Sequence, residues 1–201
     1  MKKVVFCIAI VAAFFAASTP ALSQTETSYV NWTSNGWIKS DKLHWTDEGY
    51  YIRFTLVSDS ASGEDWIYRL QSQGKRVNQE VVSVLRSEYF VPTKDTLVFL
   101  VVKGDKIASP YRTDTHIREK ARGYGAHKPT LEAACLISFY VSKKDMKEMG
   151  VNFISIMSEP VPANYSDEDL LLVAGKDFLG WAPAFSGCKW KGSSGFAFLA
   201  Q

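Results

Sequence analysis

Residues 104–129 contain the side chains of this chain that are best suited to proton transfer or to anion binding. Two of the three histidines, His116 and His127, lie there among an excess of lysine and arginine. Imidazoles exchange protons near neutral pH, and guanidinium or ammonium groups stabilise anions. One hypothesis is therefore a small phosphodiesterase-like hydrolase in which His116 and His127 carry protons, with Glu119 three residues after His116.

The same segment also has the composition of a binding surface. The chain contains no Gly-x-Ser-x-Gly elbow, no phosphate-binding glycine loop, no His-Glu-x-x-His helix and no Cys-x-x-Cys pair. Arginine and tyrosine are frequent anchors of protein interfaces. We therefore predict that residues 104–129 recognise another protein, in the manner of an inhibitor or immunity-type partner, and the alternative is a surface segment whose charges keep the chain soluble. The predicted contact residues are Tyr111, Arg112, Arg118, Lys120, Arg122 and Tyr124.

Aromatic residues near the N-terminus support a second binding hypothesis. Trp32, Trp37 and Trp45 are followed by Tyr50 and Tyr51, and amide, carboxylate and imidazole side chains lie between them. Sugar rings stack on indole faces while their hydroxyls need polar partners, so this face is a candidate glycan-binding module. Tryptophans that fill a protein core give the same pattern. No spacing typical of metal ligands accompanies the histidines, and we predict neither a metal site nor a cofactor.

The first 23 residues have the pattern of a secretory signal peptide. A basic start, Met1-Lys2-Lys3, precedes the apolar run Val4–Ala17, which is too short for a stable transmembrane helix. Small residues at positions 21 and 23 suit a signal peptidase. The sequence therefore predicts a periplasmic or secreted protein, with one β-rich domain over residues 24–201 and no membrane insertion after cleavage.

The charge balance limits the partners of such a domain. The 23 lysines and arginines exceed the 21 aspartates and glutamates by two, and Lys2 and Lys3 of the predicted signal peptide account for that excess. A neutral remainder argues against a general nucleic-acid or anionic-membrane binder. Electrostatic recognition must then come from a local patch.

Cys135 and Cys188 are the cysteines that remain after the predicted signal peptide is removed. Two cysteines in an exported protein predict a disulfide bond, here between Cys135 and Cys188. The alternative is a catalytic thiol, which needs an exposed and electropositive setting.

Hydrophobic periodicity and turn residues predict a mainly β fold, an antiparallel β-sandwich or partly closed barrel with one or two short helices. Asn35-Gly36 predicts a β-hairpin, and the unbroken apolar run Thr96–Val102 predicts a strand covered on both faces. The predicted strands are Tyr29–Thr33, Leu43–Thr46, Tyr50–Val57, Trp66–Leu70, Thr96–Val102, Leu131–Val141, Val151–Met157 and Phe196–Leu199.

Capping residues predict the helices. Ser142 and Asp145, with Gly150 beyond them, predict a helix over Lys143–Met149. Ser166 predicts a second helix over Asp167–Ala174, and Asp114 a short one ending at Arg122 inside the 104–129 loop. Asn78–Phe90 fits both helical and strand spacing, and its valines favour a strand.

Overall fold

The computed structural model describes residues 43–162, 169–184 and 189–200, and the backbone of two short N-terminal strands. These are β1 (Asn31–Thr33) and β2 (Gly36–Ile38), which pair antiparallel with Thr33 opposite Gly36. The pairing confirms the predicted N-terminal hairpin. The predicted signal peptide, Ser166 and Cys188 lie outside the described residues.

One open sheet of ten strands organises the other elements. Two of the ten strands are short and lie outside the main strand order: β7 (Ala126–His127) pairs with β12, and β9 (Val161–Pro162) pairs with β10. The β12–β8 and β11–β5 pairs are parallel and the others antiparallel, so the sheet is mixed. A sheet-rich fold is confirmed, but the mixed sheet is not closed into a barrel and is not clearly an antiparallel sandwich. The order across the sheet is β3 (Trp45–Asp47), β4 (Tyr51–Val57), β6 (Thr96–Lys103), β12 (Ser194–Ala200), β8 (Phe153–Ile156), β10 (Asp169–Gly175), β11 (Phe178–Pro183) and β5 (Arg76–Val77).

Helices pack on both faces of this sheet, which the prediction of one or two short helices did not anticipate. On one face, here the multi-helix face, α4 contacts β8, β10 and β11, and α1 and α2 pack beside it. The opposite face, here the α3 face, is covered by α3 and by Trp190. The described part of the chain contains five α-helices: α1 (Gly63–Ser72), α2 (Gln79–Leu85), α3 (Asp114–Arg122), α4 (Glu132–Tyr140) and α5 (Lys143–Glu148).

Strand β6 shows how the apolar runs divide between the two faces. Side chains alternate along a strand, so Phe99 and Val101 join the core under the multi-helix face while Leu100 and Val102 join the core under α3. All four are buried. The prediction of a strand covered on both faces is confirmed.

The prediction of a strand over Leu131–Val141 is wrong, because residues 132–140 form α4. Eight of its nine residues are buried, so the helix has no polar stripe to reveal a helical period. Glu132 and Ser138 looked like the solvent side of a strand, but both are fully buried. Cys135 lies in the middle of α4 with its side chain fully buried, and burial raises the pKa of its thiol well above the usual value. The disulfide to Cys188 stays a prediction.

Two further strand predictions are wrong for a related reason. Trp66, Ile67 and Leu70 form the buried side of α1, and the alternation of Trp66, Tyr68 and Leu70 is incidental. A capping box between Ser62 and Asp65 starts this helix. Residues 79–85 form α2 with Asn78 as its N-cap, so the helical alternative was the correct one there.

The helix predicted over Asp167–Ala174 is also wrong, because residues 169–175 form strand β10. Its run Leu170–Ala174 is buried between the cores on the two faces of the sheet, and pairing with β8 and with the adjacent strand β11 outweighs the local capping pattern. By contrast, α5 begins at the predicted capping box, in which Asp145 accepts from the Ser142 backbone N–H at 2.8 Å. Strands β3, β4, β8 and β12 also confirm their predictions within a few residues.

Candidate functional site

The segment predicted as a functional loop, residues 104–129, is built around α3 and is tied to the C-terminal part of the chain. Ile117 and Ala121 are fully buried against the sheet. At the start of the helix the Trp190 Nε1–H donates to Asp114 Oδ1 at 2.6 Å, and the Trp190 backbone N–H donates to the Arg112 carbonyl at 2.9 Å. The short helix predicted inside the segment is confirmed, with Thr113 and not Asp114 as its N-cap.

The buried stripe of α3 separates the predicted binding residues into two groups. Residues four apart share a helix face, so Arg118 and Arg122 lie on one flank of this stripe and His116 and Lys120 on the other. The structure therefore gives these residues two different environments. Each environment has its own chemistry.

Arg118 and Arg122 border an open cleft of about 540 Å³, here the basic cleft. Its other lining residues are Ala126, His127, Lys128 and Phe198, and no aspartate or glutamate is among them. Ala126 and Phe198 are buried, whereas Arg122, His127 and Lys128 are exposed. An apolar base with cationic residues around it suits a ligand that combines a negative charge with apolar surface.

The three permanent cations of the basic cleft differ in their existing partners. Arg118 donates from its two terminal nitrogens to the carbonyls of Met157, at 2.6 Å, and Ser158, at 3.0 Å, and burial lowers the pKa of its guanidinium. Lys128 forms an ion pair with Glu159, and this bond lowers the pKa of Glu159. Within the described part of the chain, Arg122 makes no ion pair or side-chain hydrogen bond.

Arg112, another predicted binding residue, serves the structure of the segment. Its Nε–H donates to the Ile107 carbonyl at 2.8 Å. Its guanidinium also packs on Gly192, where an added Cβ would lie 3.3 Å from the guanidinium carbon. Replacing Arg112 would therefore disturb the support of α3 as well as the surface charge.

The other flank of α3 carries an aromatic patch, defined as Tyr50, Tyr51, Lys120 and Tyr124. The Lys120 amine lies 4.4 Å from the centre of the Tyr50 ring, and the Tyr124 ring lies 5.1 Å from that of Tyr51. Tyr50 and Tyr124 keep 40% and 38% of their surface exposed. Tyr111 lies apart from this patch in a ring contact with His116, at 5.0 Å between ring centres.

The predicted tryptophan face is only partly described. Trp45 packs against the core under the multi-helix face, as a structural tryptophan does. The side chains of Trp32 and Trp37 lie outside the described residues. Tyr50 and Tyr51, predicted to belong to that face, instead meet Tyr124 and Lys120.

The structure does not bring the two candidate histidines together. His127, on strand β7, lines the basic cleft beside Arg118 and Arg122. His116 lies on the other flank of α3, in ring contact with Tyr111. Glu119 lies on α3 with an exposed side chain, and no described hydrogen bond or ion pair joins it to His116. The pair His116 and His127 therefore has no shared site in the described structure.

A groove of about 500 Å³, here the apolar groove, lies next to the basic cleft and was not predicted. Lys128 lines both. No local pattern could have indicated the groove, because it forms where segments 89–91, 128–131 and 158–161 meet in the fold. Its apolar lining consists of Tyr89, Val91, Pro129, Leu131, Pro160 and Val161.

Comparison with known proteins adds no family to these observations. No family model matches the chain, and no curated protein or solved structure shows significant similarity to it. In the described ranges, no helix has both the length and the hydropathy needed to cross a bilayer. The same residues contain no group of three or more histidine, cysteine, aspartate or glutamate side chains placed to hold a metal ion.

Proposed function

We propose that this chain is an exported binding protein that docks an acidic region of a partner protein on the basic cleft, as an inhibitor or immunity-type protein does. The observation that carries the proposal is the cleft itself, where Arg118, Arg122 and Lys128 meet and no carboxylate is part of the lining. The predicted mature chain as a whole has as many basic as acidic residues, so this cleft is a local concentration of positive charge. Charge complementarity of this local kind sets partner choice and association rate.

The three cations have different parts in this proposal. Arg118 is held in place by two carbonyls, and a guanidinium has five N–H donors, so it retains donors for a ligand without further ordering. Arg122 is exposed and has no competing anion among the described residues. Lys128 must exchange its bond to Glu159 for a bond to the ligand. Arg122 is therefore the residue to change first.

Affinity capture with a matched set of variants tests the proposal. Mature protein would be immobilised and exposed to envelope and secreted fractions of the organism that encodes it. We expect Arg122→Ala to weaken retention of the partner about tenfold, because a ligand carboxylate loses its cation. Glu159→Gln should strengthen retention, because it frees Lys128 and removes a negative charge. Raising salt from about 0.1 M to about 1 M should release the partner, since the screening length falls from about 10 Å to about 3 Å.

Arg76→Ala is the control, because it removes an equal charge from an exposed side chain on strand β5, at the edge of the sheet. Retention should not change in that variant. Equal losses in Arg76→Ala and Arg122→Ala would mean that only net charge matters, and a partner insensitive to Arg122 and Glu159 would place binding elsewhere. Either result contradicts the proposal.

The aromatic patch supports glycan binding as a second candidate. Tyr50 and Tyr124 present exposed ring surface beside the Lys120 amine, and such surface is what a sugar ring stacks on. In the same capture experiment, a glycan-binding protein would retain polysaccharide. That retention would be lost in Tyr124→Ala and unchanged in Arg122→Ala.

A further inference from the structure

The basic cleft and the apolar groove lie side by side along one stretch of chain. Residues 126–128 line the cleft and residues 128–131 line the groove. The ion pair of Lys128 and Glu159 stands at the boundary, because Lys128 lines both and Glu159 lines the groove. A ligand large enough to cross this ion pair would contact both.

The groove presents apolar side chains that the protein's own core does not use. Tyr89 and Val91 are 51% and 62% exposed, although both are large apolar residues. They follow α2 on the segment that leads to strand β6. Glu159 lines the groove, and its charge is already matched by Lys128. The groove therefore suits apolar side chains of a ligand.

We propose that the cleft and the groove form one bipartite docking site for an extended segment of the partner protein, in which acidic side chains lie next to apolar ones. This inference rests on the proposed function and specifies the partner that it takes. The acidic side chains contact Arg122 and Arg118, and the apolar ones pack between Tyr89 and Val91. The charge of the cleft and its continuity with the groove at Lys128 select this occupant over a purely acidic or purely apolar one.

The dimensions favour an extended peptide. An extended chain advances roughly 3.3 Å per residue, so two to four residues cover roughly 7–14 Å. The protein's own backbone passes from the lining of the cleft to that of the groove at the single residue Lys128, so the two adjoin. A segment of about six residues can therefore reach both halves of the site.

Binding of short labelled peptides, followed by fluorescence anisotropy, tests the inference. The probes are Ser-Glu-Glu-Thr-Leu-Val-Ser and the same residues in reverse order, since the direction of the bound chain is open. Matched probes carry Gln-Gln for the acidic pair or Ser-Ser for the apolar pair. We expect one direction to bind, and we expect either replacement to weaken binding about tenfold.

Protein variants assign each half of the peptide to its half of the site. Val91→Ser should weaken only probes that contain Leu-Val, and Arg122→Ala only probes that contain Glu-Glu. Tyr68→Ser is the control, because Tyr68 is an exposed tyrosine on the outer side of α1. If Arg122→Ala weakens binding while Val91→Ser and the Ser-Ser probe have no effect, the bipartite site is wrong and the proposed function stands. Absence of binding by all probes at about 1 mM would overturn the inference, and the capture experiment would then decide the proposed function separately.

Discussion

Among the charged side chains of the described residues, Glu132 is the most deeply buried. It has no exposed surface, and its carboxylate accepts three hydrogen bonds, while the Ser58 hydroxyl lies close enough to donate either to it or to the Thr93 carbonyl. Buried carboxylates are costly unless such donors satisfy them, and the position in the first turn of α4 favours a negative charge as well. The donors are Trp66 Nε1 at 3.2 Å, the Thr93 backbone N–H at 2.8 Å and Thr93 Oγ1 at 2.7 Å, and Ser58 Oγ lies 2.7 Å from Glu132 and 2.6 Å from the Thr93 carbonyl oxygen.

These contacts join α4 to three segments that are distant in sequence. We therefore expect Glu132→Gln to lower the free energy of unfolding by about 2–4 kcal/mol, because glutamine has one accepting oxygen in place of two and the donors of either Trp66 or Thr93 lose their acceptor. Urea denaturation followed by circular dichroism measures this loss. Glu148→Gln, on the exposed end of α5, should change stability by less than about 0.5 kcal/mol. Equal stability of the two variants would show that the Glu132 bonds contribute nothing.

At the scale of elements, the helices α1 and α5 begin with the same capping box. In α5 the Asp145 backbone N–H donates to Ser142 Oγ at 3.1 Å, while Asp145 accepts from the Ser142 backbone N–H. This reciprocal arrangement satisfies two backbone donors that a helix start leaves unpaired. It is also what made α5 predictable.

We expect Ser142→Ala to destabilise the protein by about 1 kcal/mol, because the N-cap acceptor is lost. Thermal and urea denaturation would measure the change. Ser142→Thr keeps the hydroxyl and should retain most of the stability. If both variants unfold at the same denaturant concentration, the cap has no energetic role.

Sequence patterns correctly predicted those elements whose conformation depends on residues close together in the chain. The hairpin of β3 and β4 follows from alternation and a turn, and α5 follows from its caps. Helix α4 was missed because burial on every side removes the polar stripe that identifies a helix. Strand β10 was missed because a local capping pattern at Ser166 favoured a helix, whereas pairing with the distant strand β8 and with the adjacent strand β11 makes it a strand.

The sequence predicted some residues of the candidate site but not the segments that complete it. Residue types alone selected Arg118 and Arg122, and helical spacing places them on one flank of α3. Arg112 carried the same charge in sequence but is used to support the segment. The contributions of Phe198 and Glu159 could not be predicted, because strand pairing brings them to the cleft and its border from distant parts of the chain.

At the scale of the whole molecule, the reactivity of Cys135 measures how often the protein interior opens to solvent. Its thiol is fully buried in α4, and burial raises its pKa, so both access and ionisation are suppressed. We expect labelling of Cys135 by N-ethylmaleimide in the native protein to be about a thousandfold slower than in the unfolded protein, because it requires extensive opening.

Mass spectrometry of the peptide that contains Cys135 measures this rate. In denaturant without reductant a free thiol labels completely, whereas the disulfide predicted with Cys188 would block labelling until reductant is added. Rapid labelling of the native protein would contradict the buried position of the thiol.

The position of β12 has a consequence for when the chain can fold. In the described sheet this strand, at residues 194–200, joins β4 and β6 on one side to β8, β10 and β11 on the other. A ribosome releases the chain from its N-terminus, so residues 43–193 emerge before the strand that unites them. Until residue 200 is free, β6 and β8 have no partner between them. The two parts of the sheet can therefore be united only after residues 194–200 have emerged, so the complete fold forms at the end of synthesis.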